Sequence, residues 1–324
     1  MSEDSDRKPR PTKPLLVLWD RLKEHPLARL GPGLITGVAD DDPSGIATYS
    51  QAGAQFGLNM LWTMPLAYPL MAAIQAMCAQ IGRVTGKGLA ANIKTAFPPI
   101  VLKGVVLLLL MANTLNIAAD VAAMGEVAEL VSGFDRHLMT ALFVIGTLLL
   151  QIFVPYHRYV FFLKWLTLSL LAYAAVLFTI EVPWGEVALR TLWPKLTLNF
   201  SAATVVVGIF GTTISPYLFF WQASEEVEEE RKEGLVSLKQ RKGTTDAALK
   251  QSRNDVMTGM FFSNLIMYFI ILTTAATLHA HGKTTIATAQ DAAEALRPLA
   301  GAGQGRGDRL RHPRPEDRRP ARLL

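Results

Sequence analysis

Three consecutive carboxylates, Asp40, Asp41 and Asp42, followed directly by Pro43, Ser44 and Gly45, are the residues of this chain best placed to do chemistry. Carboxylate, carbonyl, hydroxyl and water oxygens suit hard cations such as Mg²⁺, Ca²⁺ and Mn²⁺. The triplet lies inside GPGLITGVADDDPSGIATYSQAGAQFGLNMLW, residues 31–62, a stretch long and apolar enough to cross a bilayer, which takes about 20 such residues. Pro43 has no backbone N–H and disfavours helical geometry at Asp42, Gly45 is permissive, and three acids are costly in hydrocarbon. A helix broken at membrane depth, with Asp42 at the break, is therefore expected. Breaks of this kind line cavities or lie buried in protein, and in secondary transporters they hold the ion. The plainer alternative is a solvated loop between two short helices, or three acids in a vestibule.

The anomaly occurs a second time. GIFGTTISPYLFFWQAS, residues 208–224, interrupts another hydrophobic segment with Gly208, Gly211, Thr212, Thr213, Ser215 and Pro216. By itself Ser215-Pro216 reads as a proline kink. Paired with Asp42-Pro43 five spans earlier, and entering the membrane in the opposite sense, it points to an inverted repeat with a substrate site between the two breaks.

The elements that must position these residues are read from composition and charge. Of 324 residues, 50% are hydrophobic and 18% charged, with mean hydropathy +0.26; about a quarter charged is usual for soluble domains. The charges are clustered between long apolar runs, so an all-α polytopic membrane protein is expected. The net charge of +5 is then topological charge and gives no reason to invoke nucleic acid. The single cysteine, Cys78, leaves no intrachain disulfide to form. Residues 1–30 form a basic tail without a cleavable signal, which puts the N-terminus in the cytoplasm. Spans are expected at about 31–62, 58–81, 101–131, 138–154, 159–180, 201–223 and 255–278. Arg83, Lys87 and Lys94 mark one inner edge, Arg158 and Lys164 the next, and 224–254 is a charged cytoplasmic linker. Trp184 and Trp193 suit an interface outside the fifth span.

At both breaks the sequence resembles the Nramp family of divalent-metal transporters. GPGLITGVADDDPSGIATYSQAGA is similar to that family's first-helix pattern around Asp-Pro-Gly-Asn, and GTTISPYLFFWQAS to its sixth-helix pattern around Met-Pro-His. The resemblance covers about residues 30 to 300. It implies the five-plus-five inverted-repeat fold with helices 1 and 6 broken: a first repeat over 31–200, a partial second repeat over 201–280, and an external segment over 281–300. The family Asp and Pro fall on Asp42 and Pro43, its Gly and Asn on Ser44 and Gly45. Its Met, Pro and His fall on Ser215, Pro216 and Tyr217, with Thr212 at the position offering a carbonyl.

The departures decide the substrate expectation. Ser215 removes a soft thioether, which favours hard cations, and a missing side chain at Gly45 is expected to leave room for the waters that Mg²⁺ keeps. The pattern is closest to the Nramp-related magnesium-carrying branch. The resemblance thus implies a non-enzymatic, cofactor-free carrier of Mg²⁺ or Mn²⁺, multi-pass in a bacterial-type inner or plasma membrane. The expected metal residues are Asp42, Asp41, Gly45, Thr212 and Ser215. The family's proton route uses a His and an Asp-x-x-Glu pair; here these are Tyr217 and Asp120 with Ala123. An unperturbed Asp titrates near 3.9 and Tyr near 10, so uncoupled metal movement is expected, with Asp120 and Tyr217 as a polar route. Asp120 and Glu126 are expected to pair with groups such as Asn113 and Asn116.

Other signals are bland. The run SEEVEEERKE from Ser224 reads as a solvated helix extension. His279 and His281, two residues apart, share no helical face. From Gly301 the chain turns to Arg, Gly and Pro, which reads as a truncated or frameshifted end and leaves the second repeat incomplete. Three rivals stand beside the metal carrier. An amino-acid transporter of this fold class would need helix N-termini free to meet a carboxylate, an intramembrane enzyme using Mg-diphosphate would need a second Asp-rich motif, and an inactive fragment would fit the tail.

Overall fold

The structure is a computed structural model that describes Gly37 and residues 40–154, 167–195, 199–232, 234–235, 237–286 and 288–298. The basic tail, most of the first half of the first expected span, Arg158, Lys164 and residues 301–324 lie outside these. Among the described residues every regular element is helical. The chain begins with α1 (Pro43–Phe56), α2 (Thr63–Thr85), the short α3 (Leu89–Ala96), α4 (Pro99–Ser132) and α5 (Arg136–Phe153). It continues with α6 (Leu171–Val176), α7 (Trp184–Leu192), α8 (Phe200–Thr213), α9 (Pro216–Lys232), α10 (Leu238–Arg241), α11 (Asp246–Thr277) and α12 (Ala289–Ala293). Five are long and apolar enough to cross a membrane: α2, α4, α5, α8 with α9 taken together, and α11 with the turn after it. The first expected span appears only as the 14-residue α1 beyond its break, and the first part of the fifth, residues 159–166, lies outside the described residues.

The termini follow local chemistry. Asp42 caps α1 with its side chain, and Pro43 occupies the first turn, where its missing N–H costs nothing. Glycines in the left-handed conformation close α2 at Gly86 and α4 at Gly133. Helices α4 and α5 expose apolar side chains along their length, Leu108 at 69% and Leu115 at 71% among them. In a bilayer such faces meet lipid chains rather than water, so they need no protein partner. Helix α11 is instead the hub. Its Met267, Ile270, Ile271 and Leu272 pack with Tyr49 of α1, Met64 of α2 and Ile209 of α8 in one core.

Small residues set the closest approaches. A Cβ at Gly53 would lie 2.0 Å from Thr274 Oγ1, so α1 and α11 touch at backbone distance. A Cβ at Gly82 would lie 2.6 Å from the Ala223 carbonyl oxygen, which locks α2 to α9. Beyond α11, the backbone N–H of Ile286 donates to Gln51 Oε1 at 2.6 Å, and Gln51 Nε2 donates to the Thr284 carbonyl at 3.3 Å. Lys283 donates to Asp291 at 2.6 Å and to Glu294 at 2.9 Å, and these bonds hold its ammonium above the usual lysine range.

Within the charged linker 224–254, α9 runs on to Lys232 and α11 starts at Asp246. One expectation is corrected. The acidic run is not simply solvated: Gln222, Glu226 and Glu230, spaced four apart, form a buried stripe on α9, while Glu228 is exposed. The stripe is polar yet inward because a partner waits there. Arg83 Nε of α2 meets Glu226 Oε2 at 2.6 Å, and Gln222 and Ser252 donate to Oε1 at 3.0 and 2.8 Å.

Candidate ion site at the two helix breaks

The first break is an extended turn. Asp42 has φ −76° and ψ 166°, and its Oδ1 accepts from the Gly45 N–H at 2.7 Å and from the Ser44 hydroxyl at 2.8 Å. Its other oxygen faces two different helices. Asn116 Nδ2 of α4 donates to Asp42 Oδ2 at 2.7 Å, and the Tyr217 hydroxyl of α9 reaches it at 3.3 Å. Asp120, one turn along α4 from Asn116, accepts from the Ser44 N–H at 3.2 Å and from Asn116 at 3.5 Å. The Ser44 hydroxyl also lies 2.6 Å from Asn116 Oδ1, so its single proton is shared between that oxygen and Asp42. Asp42, Ser44, Asn116, Asp120 and Tyr217 thus form one half-buried oxygen-rich cluster drawn from both breaks and from α4. Carboxylate, amide and hydroxyl oxygens around one point are the donor set of a hard cation.

The second break is built differently. Helix α8 ends at Thr213 with Ile214 at φ −109° and ψ 59°, and α9 starts at Pro216. The buried Ser215 hydroxyl donates to the Thr212 carbonyl and, at 3.4 Å, to the Gly211 carbonyl, so it caps the end of its own helix. Neither Ser215 nor Thr212 makes a hydrogen bond to Asp42. Just beside them, Thr213 Oγ1 and the Tyr49 hydroxyl lie 3.0 Å apart, tying α8 to α1.

Gly45 does not open a water pocket, contrary to the expectation for that position. A Cβ there would sit 3.2 Å from Asp42 Oδ1 and 3.3 Å from both the Asp40 carbonyl oxygen and the Tyr49 ring. A side chain there would press on the capping carboxylate and on Tyr49, which already occupy the space. Asp40 and Asp41 are buried, at 0% and 6% exposure, and none of their four carboxylate oxygens has a hydrogen-bond partner. Among the described residues no three His, Cys, Asp or Glu side chains converge as a metal-holding group. Any ion held by Asp42 would therefore depend on neutral oxygens as well.

Sequence reasoning named Asn116 only as a partner for the α4 acids, and the structure brings it to Asp42 as well. Its signal was the spacing of Asn113, Asn116, Asp120 and Ala123, three to four apart, which is one face of a helix. His279 and His281 are occupied elsewhere: His279 Nδ1 lies 2.8 Å from the Ala54 carbonyl, and His281 Nδ1 meets the Thr277 carbonyl.

The model of the family described as "Natural resistance-associated macrophage protein-like", or Nramp, matches residues 33–305. The chain belongs to the Nramp family. Relatives include the "Divalent metal cation transporter MntH" of Acidiphilium cryptum, 29% identical across 86% of this chain and 63% of that protein. The protein of the same name from Verminephrobacter eiseniae is 29% identical over 84% of this chain and 61% of its own length. "Divalent metal cation transporter MntH 1" of Pseudomonas aeruginosa is 28% identical over 84% and 61%. This Nramp chain spans a little over six-tenths of the length of these relatives. The all-helical architecture and five membrane-length helices agree with the family, and the protein is a multi-pass membrane protein.

Proposed function

We propose that the chain carries a hard divalent cation, Mg²⁺ or Mn²⁺, across the membrane through the gap between its two broken helices. The observation that carries this is the Asp42 carboxylate, one oxygen of which caps α1 while the other faces Asn116 and Tyr217 on two further helices. A cation that displaces these donors would find the carboxylate already aimed at it. The Asn116 amide oxygen and the Ser44 and Tyr217 hydroxyls could complete its shell, directly or through water. Thr212 and Ser215 enter if the second break opens, since their carbonyl and hydroxyl are now satisfied by each other. Asp41, Gly45, Thr212 and Ser215 remain the sequence-derived candidates around Asp42. Lack of a thioether at position 215 supports preference for hard ions, and the names of the relatives support metal as cargo.

Movement is uncoupled to protons in this reading. Tyr217 and Ala123 stand where titrating groups would be needed, which leaves Asp120. A negative interior draws a divalent ion with about 4.6 kcal/mol per 100 mV, twice the single-charge value, so no proton gradient is required. The test is the purified chain in liposomes with a metal-sensitive and a pH-sensitive dye inside. Metal entry with a silent pH dye, abolished in Asp42→Ala, is the expected result. Metal-dependent acidification that disappears in Asp120→Asn would overturn the uncoupled reading, and unchanged uptake in Asp42→Ala would remove the site from the first break.

A further inference from the structure

We propose a second cation site, formed by Asp40, Asp41 and Ser263 against α11 and distinct from the Asp42 cluster. A close backbone contact builds it. A Cβ at Gly37 would lie 2.6 Å from the Gly259 carbonyl oxygen, so the chain entering the break is pressed onto α11. Ser263, one turn further along α11 than Gly259, then faces the Asp41 carboxylate without forming a hydrogen bond of ordinary geometry. Ser263 is only 1% exposed, and its hydroxyl has no partner. All four oxygens of Asp40 and Asp41 are likewise buried and unpartnered, and the two carboxylates are close enough to repel each other. Buried ionised carboxylates without donors are among the most costly arrangements a protein can hold unless they take up protons or a cation meets them, and two side by side with a buried hydroxyl form a donor set for a cation. No Lys, Arg or His among the described residues forms an ion pair with Asp40, Asp41, Asp42 or Asp120. Among the described residues these four carboxyl groups have no paired base, and two divalent ions, one at Asp42 and one here, would balance them. The donors are all oxygen, so the occupant belongs to the hard class of Mg²⁺ or Mn²⁺.

Asp40 and Ser263 lie outside the proposed transport site, so a variant there tests the second site by itself. The probe is Mn²⁺, counted by electron paramagnetic resonance on the full chain purified in detergent. Wild type is expected to bind two ions, close enough for their spins to broaden each other's signal, because Asp41 and Asp42 are adjacent. Asp41→Asn is expected to bind one ion with a sharp signal, and Ser263→Ala, which lies outside the proposed transport site, to keep Asp42-dependent uptake measurable. Asp42→Asn is expected to keep the other ion while losing uptake. If Asp41→Asn fails to fold, Ser263→Ala carries the test, with the second ion weakened about tenfold. One ion in wild type, or two ions in Asp41→Asn, or Ser263→Ala without effect on the second ion, overturns the proposal. Loss of the first ion alone in Asp42→Asn bears only on the transport site.

Discussion

The two helix breaks look alike in sequence, an apolar span interrupted by a polar residue and a proline, yet they solve the same problem in opposite ways. At Asp42 the polar side chain caps the helix that follows it with one oxygen and leaves the second for other helices. At Ser215 the side chain turns back onto carbonyls of the helix that precedes it and presents nothing outward. A carboxylate has enough acceptor capacity to cap and to reach out, whereas a hydroxyl has one proton, and the exposed carbonyls take it. The lesson is that a break becomes an ion site only if its side chain has capacity left after repairing its own helix. The second break relies on what lies beyond it, Tyr217 and the Arg83–Glu226 pair, for its place in the molecule.

The largest effect is expected where the second break is anchored. Arg83→Ala leaves Glu226 buried without its counter-charge, and breaking such a pair costs about 3–5 kcal/mol. Thermal unfolding in detergent should show this as a large drop in midpoint, with Glu226→Gln milder because Gln222 and Ser252 can still bond to it. A midpoint within a degree of wild type would mean that α9 is not held by this pair.

Next in size is Asp42→Asn. It keeps a side-chain oxygen that can cap α1, so stability should change by no more than about 1 kcal/mol. Divalent-ion affinity should nevertheless fall about 100-fold or more, equivalent to about 2.7 kcal/mol, by titration calorimetry with Mn²⁺. If affinity and stability fell together by the same amount, the two oxygens would not have separate tasks.

Smaller still is Ser215→Met. It restores a thioether and should move the preference for Cd²⁺ over Mg²⁺ by about tenfold in competition binding. No movement would show that position 215 stays turned toward its own helix in the ion-bound state.

The smallest effect belongs to Ser215→Ala, about 1 kcal/mol or less in unfolding, since only one hydrogen bond to partly satisfied carbonyls is lost. A greater loss would make the second break as dependent on its polar residue as the first.

Both breaks were legible in the sequence because proline and adjacent acids leave few alternatives inside an apolar span. The spans of α4 and α5 were legible too, expected over 101–131 and 138–154 and found at Pro99–Ser132 and Arg136–Phe153, whereas α9 runs nine residues past the expected 223 and α11 starts nine before the expected 255. The arrival of Asn116 at Asp42 was not. It depends on which helix the polar face of α4 meets: Asn113, Asn116 and Asp120 mark that face in the sequence, but not its partner. The burial of Glu226 and Glu230 was missed for another reason. Counting charges in the run described its composition, whereas the spacing of Gln222, Glu226 and Glu230 described its face, and only the face has a partner in Arg83. The room expected at Gly45 failed because a missing side chain does not leave a void when a neighbouring carboxylate and ring fill it.

The Gln51 side chain gives the buried acid a handle at the far end of α1. It accepts from Ile286 and donates to Thr284, and it sits two turns along α1 from the Asp42 cap, so the segment beyond α11 and the helix carrying that cap are clamped together. A rigid binder that grips residues 283–286 would therefore brace α1 from a distance, restraining the carboxylate at its other end without touching any atom of the ion site.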